Sequence, residues 1–194
     1  SEYGMDMANN IFANNSDSNN ERHRVVVMFT DGYTAPSGTD DFKYSMANSA
    51  IAKAYETKNT YNADVYTIGL FSGANPEADI TESFQNDDEW NDWGNKNNLT
   101  DNQETVAANR YMHYVSSNYP SVKLLQDNGV RAEGSSYYMA VNDSTSLDQI
   151  FSDIAEDITK NSLEVYPDKD AELTDTLSQY FDFPEGLTGT SEGI

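Results

Sequence analysis

"RVVVMFTDG", residues 24–32, decides the fold. The run from Val25 to Phe29 is continuously apolar and mostly β-branched. That composition predicts a strand covered on both faces inside a parallel sheet, because a half-exposed strand would alternate apolar and polar residues. The run breaks at Thr30, Asp31 and Gly32, where glycine lets the chain turn away. A strand of this kind needs helices above and below it.

Working outward, those helices appear in the required order. In "YGMDMANNIFANN" (3–15), Met5, Ala8, Ile11 and Phe12 fall on one helical face, ahead of the polar connector "NNSDSNNERHR". Residues 41–58, "DFKYSMANSAIAKAYETK", bring Phe42, Met46, Ala50 and Ala54 into helical phase, with Asn59 as a stop. "ADVYTIGLF" (63–71) reads as a second buried strand, so strand, helix and strand together make a parallel crossover unit. Further on, "TDNQETVAANRYMHYVSSNYP" begins with a capping box at Thr100 and Gln103. It places Ala107, Tyr111, Tyr114 and Val115 on one face until Pro120. "SSYYMAV" (135–141) is a short strand. "SLDQIFSDIAEDI" (146–158) is the most regular helix, with Leu147, Ile150, Phe151, Ile154, Ala155 and Ile158 in phase behind a capping box at Ser146 and Gln149.

The expected class is therefore α/β, a parallel crossover sheet with flanking helices. Residues 72–101 lack periodicity and are rich in Gly, Pro, Asn and acids, which reads as a surface insertion. Composition shifts again near 161, so residues 1–161 form the domain and 162–194 a linker or the start of a following β-rich domain.

The charge excludes some partners. A formal net charge of -22 repels nucleic acid and anionic lipid and favours divalent cations or basic proteins. Without cysteine there is neither a disulfide framework nor a thiolate metal site. No run reaches the roughly 20 apolar residues of a membrane span. No Gly-x-Ser-x-Gly elbow, P-loop or Gly-x-Gly-x-x-Gly is present, and the reading is a non-enzymatic one.

An Asp directly after a buried parallel strand stands at the carboxyl edge of the sheet, where open α/β folds bind ligands. Thr30 and Asp31 offer oxygens suited to Mg2+ or Ca2+, although Asp-Gly is also a common turn. Asp87, Asp88, Glu89 and Asp92 lack the alternating register of a calcium loop and read as a solvated acidic segment. Trp90 and Trp93, set among them, are candidates for ligand contact or for pinning the insertion. His23 and His113 are isolated from other metal-ligating residues in sequence.

"RVVVMFTDG", a helix, "ADVYTIGL" and the closing "LDQIFSDIAEDI" together resemble the von Willebrand factor type A domain. The likeness is greatest to the versions on Gram-positive surface proteins and pilus-tip adhesins. "YMHYVSSNYP" and "LTDTLSQYFDFPEG" are similar to segments that recur around such domains. The resemblance implies a doubly wound, mostly parallel sheet with flanking helices and, at its upper edge, a metal-ion-dependent adhesion site built from Asp-x-Ser-x-Ser, a loop Thr and the Asp of a strand ending in Asp-Gly. Asp31 matches that last Asp. Asp-x-Ser-x-Ser follows no buried strand here, and Ser1 matches the hydroxyl position after the loop Thr, so the chain is expected to begin in mid-domain.

Asp31 is accordingly expected to be part of a site that binds Mg2+ or Ca2+ in the intact domain and stays empty in this chain. Thr30, Tyr33, Thr34, Trp90 and Trp93 are the ligand-contact candidates. The implied function is an extracellular, cell-surface protein-binding module with a host or neighbouring-cell protein as partner. The alternative is a stalk or spacer in a surface fibre, with Lys169 as a conceivable isopeptide donor. Homo-oligomers through an exposed sheet edge are a further expectation.

Overall fold

A computed structural model describes residues 2–15, 23–31, 42–81, 101–141 and 144–163. The elements run α1 (Glu2–Asn14), β1 (Arg24–Thr30), α2 (Tyr44–Asn59), β2 (Ala63–Gly69), α3 (Asp101–Val115), β3 (Tyr138–Ala140) and α4 (Ser144–Leu163). The three strands form one sheet in the order β1-β2-β3. Both pairings are parallel, with Arg24 opposite Ala63, Thr30 opposite Gly69, and Thr67 opposite Tyr138.

Strand alternation assigns the two faces. Val26, Met28, Val65 and Tyr138 point to a core shared with Met5 of α1, Ala47, Ala50, Ile51 and Ala54 of α2, and Ala107, Tyr111 and Met112 of α3. Val25, Tyr66, Ile68 and Met139 point the other way and meet Leu147, Ile150, Ile154 and Ile158 of α4. Helices thus cover both faces of a small open parallel sheet, the α/β arrangement expected from the order of apolar runs.

Local chemistry sets the element ends. Lys43 is extended (φ -112, ψ 112), so α2 starts at Tyr44, later than the apolar phase suggests. Phe42 precedes the helix yet stays buried, its ring 5.5 Å from Tyr44 and 6.2 Å from Tyr111. After α2 the chain turns through Asn62 at φ 49, a left-handed conformation that Asn tolerates better than most residues. α4 begins at Ser144, which places Ser146 inside the helix instead of at its cap.

Three further expectations are corrected. Among the described residues β1 is an edge strand, and the expected cover on both its faces is incomplete: Val27 and Phe29 are 36% and 42% exposed, and only Met28 is buried. In α1, Met5 points inward but Ile11 is exposed, and buried Asn9 takes the place expected for an apolar residue. Asn9 bonds the Lys53 carbonyl at 3.1 Å and accepts from Thr57 Oγ1 at 2.6 Å, so a polar bridge joins α1 to α2. In α4, Phe151 and Ala155 are exposed, because the helix contacts the sheet along a narrower stripe than its apolar phase allows.

Among the described residues no helix is long and apolar enough to cross a membrane. The segment 164–194, Lys169 included, lies outside the described residues.

Candidate functional site at the carboxyl edge of the sheet

All strands are parallel, so their carboxyl ends gather at one edge. Thr30 and Asp31 follow β1, Leu70 follows β2 and Val141 follows β3. The backbone ladder carries on to this edge: Leu70 N–H donates to the Thr30 carbonyl at 2.9 Å, and Val141 N–H to the Gly69 carbonyl at 3.0 Å. Thr30 is half-buried and Asp31 exposed. Their side-chain oxygens, Thr30 Oγ1 and Asp31 Oδ1, are 3.5 Å apart, longer than an ordinary O–H···O bond.

The connection leaving β2 folds tightly over the strand end. A Cβ on Gly69 would come within 3.1 Å of the Phe71 ring and 3.2 Å of both Ala74 Cβ and the Tyr138 ring. Gly73 has φ +89, and a Cβ there would stand 2.7 Å from Thr105 Cγ2 of α3, so glycine is required by backbone and packing together.

α3 holds this connection with buried polar side chains. Asn109 Oδ1 accepts from Asn75 N–H at 2.8 Å and from the Tyr138 hydroxyl at 2.7 Å, while its Nδ2 donates to the Gly73 and Thr105 carbonyls, each at 2.9 Å. Every hydrogen-bonding position of that amide is occupied. One turn on, His113 Nε2 donates to the Pro76 carbonyl at 2.9 Å, and Nδ1 accepts from Asn118 Nδ2 at 3.0 Å. That pattern requires the neutral ring with its proton on Nε2. Burial first, and then the nearby Arg131 charge, depress the His113 pKa to about 4, against a smaller opposing effect of the Pro76 carbonyl. Arg110 Nε donates to the Ile80 carbonyl at 2.6 Å, and exposed Asp79 is held below the usual carboxylate range by the hydroxyl and backbone N–H of Thr81.

Residues 72–81, the first part of the expected surface insertion 72–101, are a strap tied to α3, and residues 82–100 of that segment lie outside the described residues. The sequence carries a trace of this strap in "NRYMHYVSSN", where polar Asn109, Arg110 and His113 interrupt an otherwise apolar helix.

The same α3 end is closed by Lys58 of α2. Its Nζ donates to the carbonyls of Tyr114, Ser116 and Tyr119 at 2.8, 2.9 and 3.1 Å, which uses all three ammonium protons on the negative end of the helix. Burial lowers its pKa to about 7. With its donors committed, Lys58 is a structural clamp.

A second polar cluster lies toward the amino ends of the strands. His23 Nε2 is 2.7 Å from Asp64 Oδ2, and the Tyr66 hydroxyl donates to the Asp157 carboxylate of α4. The rings of Tyr66 and Tyr137 are 4.9 Å apart. Burial first, then the negative Asp64 and Asp157, push the Tyr137 hydroxyl up to about 12. The Tyr66–Asp157 bond fastens α4 to β2, and the His23–Asp64 pair joins the start of β1 to β2.

Of the sequence-selected residues, Thr30 and Asp31 stand together at the carboxyl edge, whereas Tyr33, Thr34, Trp90 and Trp93 lie outside the described residues. Asp87, Asp88, Glu89 and Asp92 also lie outside them. Among the described residues no group of three or more His, Asp or Glu side chains could hold a metal ion. Thr30 and Asp31 alone do not meet the six to eight oxygens of Ca2+ or the octahedron of Mg2+. The described residues therefore do not fit a complete Mg2+ or Ca2+ site. No protein-family model, curated protein or solved structure matches the chain.

Proposed function

We propose that the chain is an extracellular protein-binding module, an adhesion domain of von Willebrand factor type A character, whose contact face is the carboxyl edge of the sheet. The observation that carries this reading is the position of Thr30 and Asp31 at the end of β1 in an all-parallel sheet, the edge at which open α/β folds bind ligands. The strap 72–81, pinned by Asn109, Arg110 and His113, supports it by giving that edge a rigid wall. The resemblance of "RVVVMFTDG" and the elements after it supports the type A character.

The net charge of -22 favours partners with a basic surface. In an intact type A domain the resemblance implies a metal-dependent contact. Among the described residues Asp31 contributes a carboxylate without the remaining ligands, so the proposed contact is made directly by protein groups.

Two measurements test this. Isothermal titration of the chain with MgCl2 is expected to give no saturable heat, or a dissociation constant weaker than about 1 mM; tight binding would overturn the account of Asp31. Surface plasmon resonance over immobilised extracellular-matrix and cell-surface proteins is expected to yield a saturable partner whose binding survives EDTA. Absence of any partner across the panel, with nucleic acid or a small metabolite bound instead, would remove the adhesion reading.

A further inference from the structure

The sequence holds a single Asn-Gly pair, Asn128–Gly129. Such a pair is chemically labile, because glycine has no Cβ to keep its own nitrogen from the side-chain amide before it. The Gly129 nitrogen bonds to Asn128 Cγ and the bond from Cγ to the amide nitrogen breaks, so ammonia leaves with the Gly129 N–H proton. Water then opens the cyclic imide to Asp, or to isoaspartate, in which the main chain runs through Cγ and gains one atom.

Asn128 is exposed on the connection between α3 and β3, yet both its neighbours are tied down. Before it, the Asp127 carboxylate accepts from the backbone N–H groups of Lys123 and Leu124, each at 2.9 Å, and the Asp127 carbonyl accepts from the Tyr114 hydroxyl at 2.8 Å. After it, the Gly129 N–H lies against that same Tyr114 oxygen. One hydroxyl at the end of α3 therefore spans the two peptides that flank Asn128. Tyr114 is itself fixed, 5% exposed and with its ring 5.1 Å from that of Tyr119. Gly129 is wedged in place: a Cβ there would stand 2.3 Å from Val122 Cγ2 and 2.9 Å from Tyr119 Cδ1.

We propose that Asn128 is a deamidation site that the fold holds shut, with the Tyr114 hydroxyl as its latch. Attack needs the Gly129 nitrogen to give up its proton and swing toward Asn128 Cγ. That motion takes it away from the Tyr114 oxygen and rotates a backbone that has no room beside Val122 and Tyr119. Conversion therefore proceeds through local opening, at a rate set by how often this corner of the fold releases. The product does not fit back. Isoaspartate lengthens the main chain between two anchored residues, and either product sets a new carboxylate beside Asp127. Deamidation is then a one-way loosening of the end of α3, the end that Lys58 also closes. It needs no ligand and does not depend on the adhesion reading.

Mass spectrometry of the peptide that contains residue 128, after incubation at mildly alkaline pH, tests the proposal. Conversion at Asn128 is expected to be at least about tenfold slower in the folded chain than in the same chain unfolded in guanidinium chloride. Tyr114→Phe keeps the ring and removes the hydroxyl. It is expected to speed conversion at least about threefold while the α3 amides, followed by hydrogen exchange, stay protected. A folded wild-type chain that converts as fast as the unfolded one overturns the proposal, and this comparison stands whether or not the variant folds. A folded Tyr114→Phe chain with an unchanged rate overturns it as well. So does a rate that rises only together with exchange of the α3 amides, because global unfolding then accounts for the gain.

Discussion

Asn109 shows how a single side chain shapes the candidate site. Its amide joins the connection after β2 to α3 and, through the Tyr138 hydroxyl, to β3. Asn109→Ala strands several buried donors and acceptors, and is expected to cost about 2–4 kcal/mol in chemical denaturation, with faster amide exchange across residues 73–77. His113 adds a pH dependence. Its folded pKa of about 4 lies below the ordinary 6.5. Between those values the unfolded chain binds a proton that the folded chain refuses, so stability falls as pH drops through the window and levels off below pH 4. Protonated Nδ1 also confronts Asn118 Nδ2, donor against donor. Relative to His113→Gln, the wild type is expected to lose up to about 3 kcal/mol between pH 6.5 and 4; parallel pH profiles for the two proteins would remove the assignment. Neither role was legible from sequence. A buried, fully bonded Asn or His has the same letter as an exposed one, and its partners here lie 34 and 37 positions away at Asn75 and Pro76.

At the scale of elements, helical phase located every described helix but not always the face it buries. In α1 the buried line is Met5 and Asn9, while Tyr3, Met7 and Ile11 are 87%, 65% and 53% exposed. Periodicity records where apolar residues can align, whereas the bridge from Asn9 to Lys53 and Thr57 fixes the rotation of the helix on α2. Met5→Ala is therefore expected to cost about 2–4 kcal/mol, and Ile11→Ser to stay within about 0.5 kcal/mol of wild type, as read by urea denaturation. Equal costs would show that α1 sits the other way round. The strands were more legible. The apolar runs at Val25–Phe29 and Ala63–Phe71 encode parallel pairing through their lack of alternation, and the structure pairs them in parallel. Coverage was harder to read, because a continuous apolar run says that a strand seeks partners on both faces and edges without saying where those partners are. Exposed Val27 and Phe29 record that gap.

For the whole molecule, parallel order gathers the strand ends, and the arrangement rests on two cores. Met5, Ile51, Val65, Tyr111 and Met112 fill one face of the sheet, and Tyr66, Ile68, Ile150 and Ile154 fill the other. The two polar clusters sit at opposite ends of the strands, Asn109 and His113 behind the carboxyl edge and His23, Asp64 and Asp157 toward the amino edge. The proposed function assigns binding to the carboxyl edge alone, and a comparison of the two ends isolates that assignment from folding. Asp31→Ala changes an exposed residue after β1, and His23→Ala removes a half-buried side chain paired with Asp64 before it, with far-UV circular dichroism verifying that both variants fold. Surface plasmon resonance of the wild type and both variants over the same immobilised panel of extracellular-matrix and cell-surface proteins is the most direct test. Asp31→Ala is expected to weaken the response at least about tenfold, with His23→Ala unchanged; binding lost with His23→Ala and kept by Asp31→Ala would place the contact elsewhere and refute the carboxyl-edge account.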